Sequence, residues 1–195
     1  RTYWSVASFQ SLYARANGWA PAGGTDAGTP TELDRWALSE MHRVSAEVDA
    51  ALEDFDTARA GRALAGYIDD LSNWYVRRCR RRFWTGDAAA LATLHECLYT
   101  VTLLMAPLTP FITERVWQDL FTTTGTTLTS EDVADSVHLA RWPEADIALI
   151  DDDLAAQMAL SRRLVELGRA ARADSGVKTR QPLSRALVGA HGWTA

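Results

Sequence analysis

From Thr31 onward the hydrophobic positions fall into helical stripes separated by short polar breaks. Leu33, Trp36, Ala37, Met41, Val44, Val48 and Leu52 recur at spacings of three and four, which buries one face of a helix. Thr31 with Asp34 forms a near capping box, and Glu32 and Asp34 suit the first turn. That helix is expected to fade near Phe55-Asp56. A second begins with Asp56 or Thr57 as its cap, and its stripe is Ala60, Leu64, Tyr67, Ile68, Leu71, Trp74 and Tyr75. Thr85-Gly86-Asp87 breaks the chain. Ala88 to Met105 then reads as a third helix with Leu91, Leu94, Leu98, Val101 and Met105 inward, stopped by Pro107 and Pro110. Thr109-Pro110 opens a fourth, PFITERVWQDLF, with Phe111, Val116, Trp117 and Leu120 able to face a core. Asp151 to Asp153 cap a fifth, which runs to about Ala173 and ends at Ser175-Gly176. Its apolar side is Leu154, Met158, Leu164, Val165 and Leu167, with Arg162, Arg163, Arg169 and Arg172 on the wetter side.

The segments between these stripes are less regular. Residues 1–19 are aromatic-rich and weakly helical, ending in the turn signal Asn17-Gly18. Residues 20–30 carry Gly and Pro without periodicity and read as a linker; Gly23-Gly24 is followed by no phosphate-loop pattern. Residues 122–150 are Thr-rich and irregular, a long loop packed on the helices, with weak alternation from Val137 to Trp142. A short strand-like run, Ala186 to Val188, follows the last helix. The predicted fold is mainly α: a helical bundle with a long irregular loop and a short C-terminal α/β beginning. Its expected divisions are a connector over 1–30, a helical domain over 31–173 and the start of a further domain over 174–195.

Charge changes the picture at one place. The chain carries a formal net charge of -5, yet the stretch DDLSNWYVRRCRRRFW, residues 69–84, packs Arg77, Arg78, Arg80, Arg81 and Arg82 between the aromatic pairs Trp74-Tyr75 and Phe83-Trp84. A local arginine excess in an acidic chain is not a compositional accident. The guanidinium fork matches phosphate bidentately and stacks on rings and bases, and arginines beside exposed aromatics are the pattern of a nucleic-acid surface. The plainer reading is a solvated helix C-terminus where cations favour the macrodipole.

Catalytic chemistry is not visible. His42, His95, His138 and His191 show no i, i+4 pair and no Cys/His cluster, and are expected to be structural or on the surface. Asp69-Asp70 and the Asp151 to Asp153 run suit helix ends better than acid/base or Mg2+ work. There is no nucleophile motif and no P-loop. Cys79 and Cys97, the two cysteines, form no disulfide framework or zinc set; they are expected to be packing residues in a reduced, cytoplasmic setting. No apolar run approaches the roughly 20 residues of a membrane span, and no signal peptide pattern opens the chain. The chain starts at Arg1 rather than Met and is expected to be a fragment of a longer protein.

Several segments, in order, carry a resemblance. DDLSNWYVRRCRRRFW at 69–84 looks like the signature helix of the isoleucyl-tRNA synthetases, which are class I aminoacyl-tRNA synthetases. LDRWALSEMHRV at 33–44 resembles the opening helix of that family's anticodon-binding domain, and APLTPFITERVWQDL at 106–120 its P-x-x-P-F helix. SVHLARWPE at 136–144 and VKTRQPL at 177–183 resemble two further family segments, and WSVASFQSLYARANGW at 4–19 the helical exit of the catalytic core. The valyl and leucyl siblings share the bundle and the P-x-x-P-F helix; the arginine run followed by Phe83-Trp84 is what points to isoleucine. Cys79 stands where a serine is expected, and Ala37 where a bulkier aliphatic is usual.

The resemblance implies an enzyme joining L-isoleucine to tRNA(Ile) with ATP and Mg2+, and leaves a zinc site in the parent open. Neither a HIGH nor a KMSKS motif occurs in the 195 residues. The chain is therefore expected to be the tRNA-binding part alone, without cofactor, unable by itself to activate isoleucine or edit valine. Its partners would be tRNA(Ile) and the parent's catalytic and editing domains, with no membrane. The residues expected to touch tRNA are Arg77, Arg78, Arg81 and Arg82 on the phosphate backbone, Trp84 by stacking, and Lys178, Arg180 and Gln181 as a second patch. On one helix these arginines point in several directions, so some are expected to pair internally with Asp69, Asp70 or the acidic first helix. Trp74 and Tyr75 are expected in the core, in register with Leu71. The alternatives are the same domain of a valyl-type enzyme, or a helical protein-interaction module, which eight tryptophans would suit. A steep fall of binding with salt separates RNA from an apolar partner.

Overall fold

The structure, a computed structural model, describes residues 1–21, 28–122 and 134–189. Gly23-Gly24, the stretch 123–133, His191 and Trp193 lie outside the described residues. The helices are α1 (Thr2–Ala16), α2 (Glu32–Glu53), α3 (Thr57–Asp70), α4 (Arg77–Trp84), α5 (Ala88–Met105), α6 (Pro110–Trp117) and α7 (Asp152–Asp174). A π-helical turn, Leu71–Val76, joins α3 to α4, so that one rod runs from Thr57 to Trp84; a second, Gln118–Thr122, extends α6. The chain divides into two compact units, 1–155 and 156–195.

In the first unit α2, α3 and α5 start where a short polar side chain holds free N–H groups. Thr31 and Asp34 make a full capping box on α2. Asp56 accepts from the backbone N–H of Arg59 to start α3, and Asp87 from that of Ala90 to start α5. Pro110 sits in the first turn of α6. Glycines at positive φ close α1 (Gly18) and α4 (Gly86), and at Gly86 a Cβ would also strike the Asn17 side chain. Between α2 and α3 the left-handed position is taken instead by Phe55, at φ 59° and 90% exposed.

The centre of the unit is α5, buried along most of its length and packed by α1, α2, α4 and α6. By length and composition alone α5 could cross a membrane, contrary to the sequence expectation that no run approaches that size; here its apolar surface is covered by neighbouring helices. α1, expected to be weakly helical, is a full helix docked on α5. Tyr3 Oη lies 2.7 Å from Thr102 Oγ1, and Gln10 Nε2 donates to the Leu91 carbonyl at 3.1 Å. Phe111 is 91% exposed rather than in the core, because α6 buries Thr113, Val116 and Trp117 and its first turn faces away.

The segment after residue 133 folds back over the bundle as two single 3-10 turns, Val137–Leu139 and Ile147–Leu149. Glu114 on α6 accepts from Ser136 Oγ (2.8 Å) and from the Val137 N–H (3.1 Å). Trp142 Nε1 donates to Asp49 (3.0 Å), and the Asp151 N–H donates to Ser39 Oγ (2.8 Å), so the segment tracks α2.

In the second unit α7 ends at Gly176, φ 65°, with the Val177 N–H bonded to the Arg172 carbonyl. Leu160, Leu164 and Leu167 stay exposed on it. The strand-like run Ala186 to Val188 does not form a strand, and none occurs among the described residues. Three extended residues without a partner ladder cannot satisfy their backbone groups by pairing. The second unit is thus one helix with an irregular extension.

Candidate nucleic-acid interface

The rod Thr57–Trp84 buries Ala60, Leu64, Tyr67, Ile68 and Leu71 at ordinary α spacing. It then buries Tyr75, Cys79 and Phe83 at a strict spacing of four. The wide turn at Leu71–Val76 makes this change of phase. Tyr75 and Phe83 have no exposed surface. Trp74, expected beside Tyr75 in the core, is only half-buried.

That phase sends Arg77, Arg78, Arg80, Arg81 and Trp84 to the surface. Positions 74, 77, 78, 81 and 84 share one helical stripe. The Arg78 guanidinium lies over the Trp74 ring, 4.2 Å from its centroid, a cation–π contact that orders the side chain while leaving its outer edge open. Trp84 is 75% exposed at the end of the stripe.

Arg82 behaves differently from its neighbours. Its Nε and Nη2 grip Asp87 at 2.9 and 3.0 Å, and Nη1 reaches Asp34 Oδ1 at 2.8 Å and Thr31 Oγ1 at 3.1 Å. Asp34 is fully buried. Its remaining capacity goes to the Tyr75 hydroxyl (2.6 Å) and to the Thr31 N–H and hydroxyl (2.7 and 2.8 Å). Burial alone would raise the Asp34 pKa, but the Arg82, Tyr75 and Thr31 donors outweigh it and hold the carboxyl below its usual value. The Arg82 bond holds Asp87 low too. Burial pushes the Cys79 thiol up, so it stands as a neutral packing group with Arg82 Nη1 at 3.7 Å from its sulfur. The internal partners expected for some arginines are therefore Asp34 and Asp87, while Asp69 accepts from Asn73 at 2.7 Å.

The sequence holds one signal for this cluster. Asp34 falls on the stripe 34, 37, 41, 44, 48 and 51 that α2 buries, and a carboxylate on a buried stripe requires a cation. Asp87 and Tyr75 as its co-partners have no such signal.

Lys178, Arg180 and Gln181 come together in the second unit, all exposed, in the turn after α7. Arg172 Nη1 donates to the carbonyls of Lys178 (3.0 Å) and Gln181 (2.8 Å) and so shapes that turn. Among the described residues no group of three His, Cys, Asp or Glu side chains is placed to hold a metal ion.

Comparison with known proteins gives this geometry a family. The family model for the anticodon-binding domain of tRNA ligases matches residues 34–187. Isoleucine–tRNA ligases of Streptomyces avermitilis and Thermobifida fusca are 63% and 60% identical to this chain, each over 98% of it. That of Thermus thermophilus is 45% identical over 96% of the chain. The chain spans only 18% of the length of each of these relatives. With its helical bundle, its matched residues and its exposed arginine stripe, the chain belongs to the family of anticodon-binding domains of tRNA ligases.

Proposed function

We propose that this chain is the tRNA-holding segment of an isoleucine–tRNA ligase, and that it grips the anticodon arm of tRNA(Ile) through the outer face of α4. One observation carries the reading: in a chain of net charge -5, Arg77, Arg78 and Arg81 share one exposed stripe that ends in the bare indole of Trp84. Cations on a single face meet successive phosphates and supply position and most of the affinity, while unstacked loop bases supply identity by stacking and edge hydrogen bonds. Arg77 and Arg81 make phosphate contacts, Arg78 does so from its seat on Trp74, and Trp84 offers a stacking platform. Lys178, Arg180 and Gln181 form a second contact patch.

In the whole ligase the segment serves ATP-dependent attachment of L-isoleucine to tRNA, with catalytic and editing domains as its partners in the same chain. ATP and Mg2+ act there.

The test is binding of the intact ligase, native and with R77A/R81A, to tRNA(Ile) transcripts with native and swapped anticodons at two salt concentrations. Removing one phosphate contact lowers the salt slope by about 0.7–0.9. The reading expects the double variant to bind more weakly and with a shallower slope, and the swap to weaken binding further. Unchanged binding by R77A/R81A overturns it.

A further inference from the structure

We infer that Arg82, with Asp34 and Asp87, is a positioning clamp for the RNA face of α4, and that Arg82 acts on RNA binding without touching RNA. The inference rests on α4 being that RNA face and adds residues to it.

An α-helix turns about 100° per residue, so positions four apart drift by about 40° at each step. Leu71, Tyr75, Cys79 and Phe83 are nevertheless all buried. The π-helical turn absorbs part of that drift, and π turns recur at functional sites because they re-aim the side chains beyond them. A phase set this way is not the helix's own preference, so something beyond the turn must hold it.

Asp34 and Asp87 are the side chains that start α2 and α5, through the Thr31 box and the Ala90 N–H respectively. Arg82 joins both, so the last turn of α4 is tied at once to the beginnings of two other helices. The side chain is only 21% exposed and Asp34 not at all. Its Nε, Nη1 and Nη2 are all engaged. Turning that fork outward to a phosphate would leave Asp34 buried without its cation, which is strongly unfavourable. Arg81 and Phe83 flank Arg82 in sequence, one exposed and one fully buried, so loosening the clamp rotates Arg81, Arg77 and Trp84 together.

The discriminating variant is Asp87→Asn in the intact ligase. Asparagine caps a helix as well as aspartate does, so α5 keeps its start. The substitution removes a negative charge beside the arginine face. Charge counting alone predicts tighter tRNA binding, whereas a clamp predicts weaker binding because the bidentate grip on Arg82 is gone. The expected result is tRNA(Ile) affinity about five- to tenfold weaker at low salt, the size of one ordinary hydrogen bond. The salt slope becomes shallower, while circular dichroism at the assay temperature is unchanged. A purely stabilising role would leave affinity and slope alone in the folded protein. Tighter or unchanged binding by D87N overturns the inference, and a slope lowered by about one phosphate in R82Q would then make Arg82 itself a phosphate ligand. R77A/R81A, measured in parallel, separates the two levels. If it weakens binding and D87N does not, only the clamp fails. If it has no effect, the reading of the α4 face fails, and the clamp with it.

Discussion

Arg82 Nη1 stands 2.8 Å from Oδ1 of Asp34, a carboxylate with no exposed side-chain surface, across 48 positions of chain. The pair sits where α2 begins and α4 ends, and Asp87 closes it from the start of α5. A charge is tolerated at the heart of an acidic bundle because both of its oxygens have donors.

Removing the carboxylate is expected to be expensive. Asp34→Ala takes the shortest acceptor from Arg82 Nη1 and from the Tyr75 hydroxyl, although Arg82 keeps Asp87 and the hydroxyl keeps the Ala90 carbonyl. It also abolishes the α2 capping box, so about 2–4 kcal/mol of stability should disappear. Tyr75→Phe removes one donor and should cost about 1–2 kcal/mol. Urea unfolding followed by circular dichroism measures both. A change under about 1 kcal/mol for D34A, the range of exposed ion pairs, would mean that the cluster is solvated and weak.

The same carboxylates give the fold an acid limit. Asp34 and Asp87 have pKa values below their unfolded values. Their contribution is complete above about pH 4 and fades as pH falls through the lower folded values. His95 acts at higher pH. Packed against Trp19 and Phe121 at centroid distances of 5.5 and 5.1 Å, its imidazole is desolvated and its pKa pushed down to about 4. Between about pH 6.5 and 4 the unfolded chain takes up a proton that the folded one refuses, so stability falls as pH falls there, by on the order of 3 kcal/mol. An NMR titration of the His95 ring protons reads this directly. A midpoint near the ordinary histidine value of about 6.5 would remove His95 as the cause.

How far the sequence foretells this arrangement depends on which force sets each part. The starts of α2, α3 and α5 are legible because Thr31, Asp56 and Asp87 bond backbone groups within their own first turns. The inward face of α5 is legible because leucines recur along it. A stripe says which side of a helix is apolar, not whether anything covers it: Leu164 and Leu167 on α7 and Phe111 on α6 remain exposed. The π turn is not legible, since its phase goes with pairing across helices at Tyr75 and Arg82 rather than with any local preference of the turn's own residues. Trp74, whose register with Leu71 predicts a core position, is only half-buried, with Arg78 over its ring. The arginine cluster itself is plain in the sequence, but the division between Arg82 and its exposed neighbours requires Asp34 and Asp87 in space.

Phe55 marks a place where the chain is less stable than it need be. It occupies the left-handed region at φ 59° with its ring 90% exposed, and a non-glycine residue there costs about 1 kcal/mol. Phe55→Gly relieves this strain and gives up almost no packing, though glycine's freedom in the unfolded chain offsets part of the gain. Stability is expected to rise by about 0.5 kcal/mol, or by a similar amount for Phe55→Asn. Thermal melts of both variants provide the check, and a fall in melting temperature for each would show that the Phe55 ring is held by packing not seen in its exposure.

Glu114 holds the start of the loop behind α6, beside Trp117 and Gln118. Glu114 accepts from the Ser136 hydroxyl, the Val137 N–H and Gln118 Nε2. Its burial would raise its pKa, yet these donors together hold it low. Glu114→Ala removes both carboxylate oxygens, and all three bonds go with them. The cost to global stability should be small, about 1–2 kcal/mol, because Val137 remains buried. The local effect is larger in proportion: the Val137 amide is left without its acceptor, and its protection is a property of the loop rather than of the whole bundle. Hydrogen exchange should therefore speed up about tenfold at Val137 and leave the α5 amides unchanged. Equal acceleration in α5 would mean that Glu114 holds the bundle as a whole, and no change at Val137 would mean that Trp117 Nε1, which donates to the Ala134 carbonyl at 2.9 Å, and Gln118 Nε2, which donates to the Asp135 carbonyl, carry the loop.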